Sequence, residues 1–143
     1  MDFKVSTAAT QGFVGLLVSV EGKLDIANVE RVEVPCEAAA RIPCPLILDL
    51  SHCSFIDSGG LRTVLGVRRA VTEVGEAMAI VTAQHQVRKL LAMGSVDGSL
   101  QVFPTRKEAI RWLAAKGRRR RMRRSLPSLP RERGTVATAS PDQ

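Results

Sequence analysis

The sequence predicts an α/β fold built on a mainly parallel sheet, and three features carry that expectation. Two short runs, PLILDLS at 45–51 and EAMAIVTA at 76–83, are apolar almost throughout, as strands covered on both faces are. Between them the period changes. Leu61, Val64, Leu65, Val71 and Val74 recur at three- and four-residue steps with Arg62, Arg68, Arg69 and Glu73 interleaved, the mark of an amphipathic helix packed on a sheet. The whole chain then reads β-β-α-β-α-β-α-β-α, and strands that alternate with helices pair in parallel through right-handed crossovers.

DFKVSTAA at 2–9 and the run that starts FVGLLVSV and ends near Gly22 are strands, joined by Thr10, Gln11 and Gly12 as a hairpin suited to a short connection containing glycine. Residues 26–42, rich in Ala and Glu, are helical in composition. Pro35 lacks the amide that a helix interior needs, so this helix is expected to be kinked or broken in two. PLILDLS follows as a buried strand, and the helix beginning at Ser58 stops at Gly75. After EAMAIVTA, the segment HQVRKLLAMG places Val87, Leu90 and Leu91 inward and ends on Gly94. LQVF is a last short strand before Pro104. Thr105-Arg106-Lys107-Glu108 has the capping-box pattern of a helix start, and Ile110, Leu113 and Trp112 anchor that closing helix.

At 143 residues the chain fits one domain. Its net charge of +7 is unevenly placed: residues 1–116 hold 13 Lys and Arg against 12 Asp and Glu, and residues 117–143 hold 8 against 2. A folded body at 1–116 is therefore close to neutral. The arginine-rich stretch GRRRRMRRSLPSLPRERGTVATASPDQ at 117–143 is expected to be disordered, because it has too little apolar surface to offset its ordering entropy. Cys36, Cys44 and Cys53, odd in number and without a C-x-x-C pair, fit reduced thiols in a reducing compartment. GFVGLLVSV at 12–20 has the length of a signal-peptide core, but Glu21 and Lys23 follow without a cleavage site, and it is far short of the ~20 residues that span a bilayer. A soluble cytoplasmic protein is expected.

CSFIDSGGLRTVL at 53–65 raises the functional question, since Asp57-Ser58-Gly59-Gly60 also surrounds the reactive serine of trypsin-like proteases. A nucleophilic serine needs a histidine base and an acid behind it. His52 and His85 are the only histidines, and an α/β-hydrolase elbow needs glycine where Ile56 stands. Nucleotide-binding glycine loops and metal-ligand spacings are absent, so no cofactor is expected. What remains is a serine at the start of a helix, where Asp57 or Ser58 can cap the first free amides and Gly59 and Gly60 reduce the bulk around the hydroxyl.

The stretch LILDLSHCSFIDSGGLRTVLGVRRAVTEVGEAMAIVTAQHQVRKLLAMGSV resembles the central motif of STAS domains, specifically the bacterial anti-sigma factor antagonists. VEGKLD upstream is similar to the family's strand ending in G-E-L-D, and FPTRKEAIRWL downstream to its closing T-x-x-E-A helix; the likeness covers about residues 10–114. It implies a STAS fold, a mixed, mainly parallel sheet with about four helices packed on one side. It also implies a protein that is not an enzyme but binds a kinase-type anti-sigma factor and so frees a sigma factor. In that family the kinase uses ATP to phosphorylate the serine after the motif aspartate, and a serine phosphatase reverses the step. By position the phosphoacceptor is Ser58, and the partner-binding residues are Asp25, Asp57, Ser58, Gly59, Gly60, Leu61 and Arg62. Gly59 stands where many relatives have a second serine, Ala27-Asn28 replaces a stretch that often contains Thr, and Pro35 interrupts the first helix.

Rival readings are a STAS interaction module that is never phosphorylated, such as a stress-signalling scaffold, and polyanion binding through Arg118, Arg119, Arg120, Arg121, Arg123 and Arg124. No aromatic residue in the tail is available to stack on bases.

Overall fold

A computed structural model describes residues 4–10, 13–94, 98 and 100–125. Its elements are β1 (Lys4–Thr10), β2 (Phe13–Leu24), α1 (Val29–Arg41), β3 (Leu46–Ile56), α2 (Ser58–Glu73), β4 (Met78–Val81), α3 (His85–Gly94), β5 (Val102–Phe103) and α4 (Arg106–Ser125). The strands form one sheet in the order β1-β2-β3-β4-β5. β1 pairs antiparallel with β2, and every later pairing is parallel. The alternating order of elements and the mixed, mainly parallel sheet are those expected; residues 11 and 12 of the expected hairpin turn lie outside the described residues.

Side-chain parity along the central strands divides the core in two. Val18, Val20, Leu46, Leu48, Leu50 and Ile80 face one side with Val32 and Cys36 of α1, Val64 and Val71 of α2, and Val87 and Leu91 of α3. Leu17, Ile47, Ala79 and Val81 face the other side and are covered by Ala109 and Leu113 of α4. The expectation of four helices on one side is thus corrected. Only α1–α3 share a face, because strands that are apolar at every position need cover on both sides.

β3 continues past Ser51 to Ile56, and two bulges account for its irregular pattern. Ser19 pairs with Asp49 but Glu21 with His52, and Gly22 pairs with Cys53 but Lys23 with Phe55, so β3 carries an extra residue at each step. Leu50, Cys53 and Ile56 consequently all point into the same core. Backbone groups freed by the first bulge find side-chain partners: Asp49 Oδ1 accepts from the Ser51 amide at 2.9 Å, and Gln84 Nε2 donates to the Ser51 carbonyl at 2.6 Å. β2 runs on to Leu24, past Gly22, which takes a φ of 98°.

α1 spans Pro35 as one helix, neither split nor ended there. α2 ends in a Schellman turn, with Gly75 at φ 83° donating to the Thr72 carbonyl at 3.0 Å and Glu76 to that of Val71 at 3.1 Å. At the start of α4, Thr105 Oγ1 accepts from the Glu108 amide at 3.2 Å.

The expected disorder after Lys116 is also corrected, since α4 continues to Ser125. Arginine is a good helix former, and cations near a helix C-terminus offset its dipole. Arg120 Nη1 pairs with Glu76 Oε1 at 2.6 Å, and the Lys116 ammonium lies 5.1 Å from the centre of the Trp112 ring, so the extension is fastened to the body and to itself. Residues 126–143 of the expected tail lie outside the described residues.

Candidate functional site

Parallel strands β2 and β3 end side by side at Leu24 and Ile56, and the loops that leave them meet. Such C-terminal strand ends are where open α/β sheets place their binding groups. Asp57 joins the two loops. Its Oδ1 accepts from the Gly60 amide at 2.8 Å, capping α2, and its Oδ2 accepts from the Ile26 amide at 3.2 Å. The Asp57 amide donates to the Leu24 carbonyl at 3.2 Å. The Gly60 amide in the first place, with those of Ile26 and Gly59 behind it, holds the Asp57 carboxyl below the usual aspartate range.

The neighbouring loop is organised by its own polar side chains. Asp25 Oδ1 accepts from the Ala27 amide at 3.0 Å. Asn28 Oδ1 accepts from the Asp25 amide at 2.9 Å, and its Nδ2 donates to the Lys23 carbonyl at 2.7 Å. Asn28 therefore braces the turn instead of capping α1 with its side chain. Held this way, Ile26 stands 73% exposed beside Gly59.

Ser58 is the first residue of α2 and is exposed, and its hydroxyl makes no hydrogen bond to any described residue. Asp57, not Ser58, is the cap, which settles the alternative left open by the sequence. Arg62 lies exposed on the outer face of α2. Gly59 is half-buried, and a Cβ there would come within 3.1 Å of the Ile26 Cβ. Gly60 has a different role from that expected. It is buried, and a Cβ would meet the Leu24 carbonyl oxygen at 2.6 Å, so it sets the approach of α2 to β2 and does not clear space around the hydroxyl. Leu61 is half-buried and packs where Gly94 lacks a side chain, which ties α2 to α3. His52 is exposed on β3 and His85 opens α3.

Two apolar residues of this rim were not singled out from the sequence, Ile26 and Phe55, the latter 44% exposed at the end of β3. Phe55 falls on the β3 stretch that the bulges continue, and Ile26 lies in a segment of helical composition but ahead of the helix, which begins at Val29. The only available signal was their size next to Asp25 and Asp57.

Fold and rim together define a small α/β module that presents an unbonded serine at a strand-to-helix junction, flanked by exposed apolar side chains. The chain belongs to the STAS domain family, whose model matches residues 4–109. It is 28% identical over 97 residues to the anti-sigma F factor antagonist of Paenibacillus polymyxa, covering 66% of this chain and 83% of that one. Among solved structures, an anti-sigma factor antagonist from Mycobacterium paratuberculosis superposes with a TM-score of 0.69 at 19% identity, covering 79% of this chain and 95% of that one. The Bacillus cell fate determinant SpoIIAA in its phosphorylated form superposes with a TM-score of 0.57 at 22% identity, over 78% and 98% of the two chains. These structural likenesses establish the shared fold. Among the described residues no helix is long and apolar enough to cross a membrane.

Proposed function

We propose that this protein is an anti-sigma factor antagonist that binds a kinase-type anti-sigma factor through the rim formed by Asp25, Ile26, Phe55, Asp57, Ser58 and Arg62, and is switched off by phosphorylation at Ser58. The observation that carries this reading is the division of labour at the helix start: Asp57 takes the capping amide, so the exposed Ser58 hydroxyl has no structural duty. Ile26 and Phe55 supply desolvated contact area beside it. The existence of a phosphorylated form of SpoIIAA, a protein of the same fold, is in keeping with such a switch.

In the proposed step the Ser58 Oγ attacks the γ-phosphorus of ATP held by the kinase, loses its proton, and ADP departs. A phosphoserine adds about −1.5 to −2 charges at neutral pH. Here that charge arrives next to a carboxylate whose hydrogen-bonding capacity toward Gly60 and Ile26 is already committed. The partner then meets repulsion and bulk at the centre of the contact, whereas the fold persists, because the core below Gly60 is untouched. A serine phosphatase acting on the modified form restores binding.

The test is incubation with a panel of kinase anti-sigma factors and ATP, read by intact-protein mass and by co-elution. One added phosphate, lost in Ser58→Ala, is expected, with Ser58→Ala staying bound in ATP and Ser58→Asp losing affinity. Retained binding of Ser58→Asp refutes the switch; binding without any phosphate transfer favours an unmodified interaction module.

A further inference from the structure

We propose that the arginine-bearing end of α4, from Arg118 to Arg124, is a docking element for duplex DNA, laid into the major groove and read by phosphate contacts alone. The inference starts from the continuation of α4 to Ser125 and its fastening through Arg120 to Glu76. At about 100° per residue, positions 118, 119, 120, 121, 123 and 124 are spread around the whole circumference of the helix, not along one stripe. Arg118 and Arg119 are exposed. The last buried side chain of α4 is Leu113 among the described residues; Gly117 to Arg120 still border the body, at Phe13, Val14 and Pro45 on one side and at Gly75–Ala77 on the other, and the helix then continues to Ser125.

That distribution selects among polyanions. A membrane surface takes a helix with a free apolar face; α4 buries Ala109 and Leu113 against the sheet and half-buries Ile110 and Trp112, and Met122, 67% exposed, is a single side chain and not a face. A flat acidic protein face is matched by one stripe of cations, which leaves the remaining arginines without partners. Single strands are held by aromatic stacking, and Trp112, the one aromatic residue of α4, is engaged with Phe103 at 5.5 Å between ring centres. A-form RNA has a major groove too narrow to admit side-chain readers. The B-form major groove is about 12 Å wide, accepts a helix, and presents phosphates on both walls. Residues 117–125 rise about 13 Å along the axis, enough to cross it. The nearly neutral body offers no strong repulsion to the duplex.

The placement of this element gives it a second property. Glu76, to which the helix is fastened, precedes β4, whereas Ser58 follows β3, and β3 and β4 run parallel. The two surfaces therefore lie at opposite ends of the strands, and a DNA-bound molecule still presents its Ser58 rim.

Fluorescence anisotropy of a labelled duplex of about 20 bp, titrated with the full 143-residue chain from about 50 to 200 mM salt, tests the proposal. Micromolar or tighter binding is expected at the lower salt, with a log–log salt slope of about −4.5 for five participating arginines. Replacing Arg118, Arg119, Arg121, Arg123 and Arg124 by Ala keeps the helix and the Arg120–Glu76 pair, and is expected to weaken binding at least about tenfold and flatten the slope. Met122→Pro keeps every arginine but breaks the last turns, and is expected to weaken binding about fivefold or more at equal charge. Undiminished binding by Met122→Pro overturns groove docking in favour of a loose polycation. Absence of binding at 50 mM salt overturns the proposal outright, as does equal or tighter binding to single strands, to RNA duplex, to phosphatidylserine vesicles or to poly-glutamate.

Discussion

Replacing Gly60 and Gly66 by alanine, one at a time, applies the same chemical change to one helix with opposite expected outcomes. A Cβ at Gly60 would lie 2.6 Å from the Leu24 carbonyl oxygen, 2.9 Å from Ile56 Cγ2 and 3.0 Å from Leu24 Cγ. The oxygen is backbone, fixed in β2, and also accepts the Asp57 amide, so it cannot swing aside. Overpacking of this kind costs about 1–3 kcal/mol. Weakening the Asp57–Leu24 hydrogen bond adds about 1 kcal/mol, and the better helix propensity of alanine returns about 1 kcal/mol. Gly60→Ala is therefore expected to lose about 1–3 kcal/mol. At Gly66, exposed on the same helix, nothing lies within 4 Å of the added methyl, and alanine is expected to gain up to about 1 kcal/mol. Urea denaturation of both variants measures the split, about 1–4 kcal/mol, which corresponds to a Tm difference of about 3–13 °C for a chain of this size. Equal stabilities, or a stabilised Gly60→Ala, would refute the claim that close approach of α2 to β2 is what requires glycine at position 60.

Asp57→Ala is expected to lower the Tm and to speed amide exchange of Ile26 as well as Gly60, since one carboxylate serves both; Asp57→Asn, still a good cap, is expected to retain most of the stability. Arg106 Nε meets Asp49 Oδ2 at 2.5 Å, and Arg106→Ala, which leaves Asp49 buried with Ser51 as its remaining partner, is expected to cost about 1–2 kcal/mol, reduced by the half-exposed position of the guanidinium. Burial pushes the Asp49 carboxyl up, but the Ser51 hydrogen bonds and the Arg106 pair outweigh it and hold the carboxyl below its ordinary value. With a depressed folded value, the stabilisation is complete above the unfolded value of about 3.9 and is lost as pH falls through the folded one; an acid unfolding titration of Arg106→Ala is expected to show a smaller drop. Burial, then Glu33 and Glu37, push the Cys36 thiol up to about 12, and burial raises Cys53 and, with Glu76, Cys44 as well, so alkylation of the native protein at pH 8 is expected to spare the buried Cys36 and Cys53 and to label the more accessible Cys44 slowly, as peptide mass mapping would show.

The helices α2 and α3 were legible because their apolar periods, their glycine ends and their starts all agree, and Gly75 occupies the left-handed position that such an end requires. The second half of β3 was not. Two bulges turn a two-residue alternation into a three-residue spacing of Leu50, Cys53 and Ile56, a pattern that no strand template in the sequence matches. The side on which α4 packs was recoverable in principle, because PLILDL is apolar on both parities and α4 is the element left to cover the second face. Composition misled at residues 117–125: an arginine run reads as solvated chain, but Glu76 is a partner for Arg120 that only the fold brings within reach.

At the candidate site, the sequence placed Asp57, Ser58 and the two glycines at a helix start but not the direction each side chain takes. Asp57, Ser58 and the two glycines are adjacent in sequence, yet they face different ways, with Asp57 reaching across to the Ile26 amide, Gly60 turned into the core and Ser58 turned out. This separation follows from a helix beginning directly at the end of a buried strand, where about 100° of rotation per residue sends consecutive side chains to loop, solvent and sheet. Under the proposed switch, the same geometry would let a phosphate on Ser58 face the partner without unfolding the domain. The residue that bears it is the one whose side chain the fold does not use, and the residue beside it already holds the loop that carries Ile26.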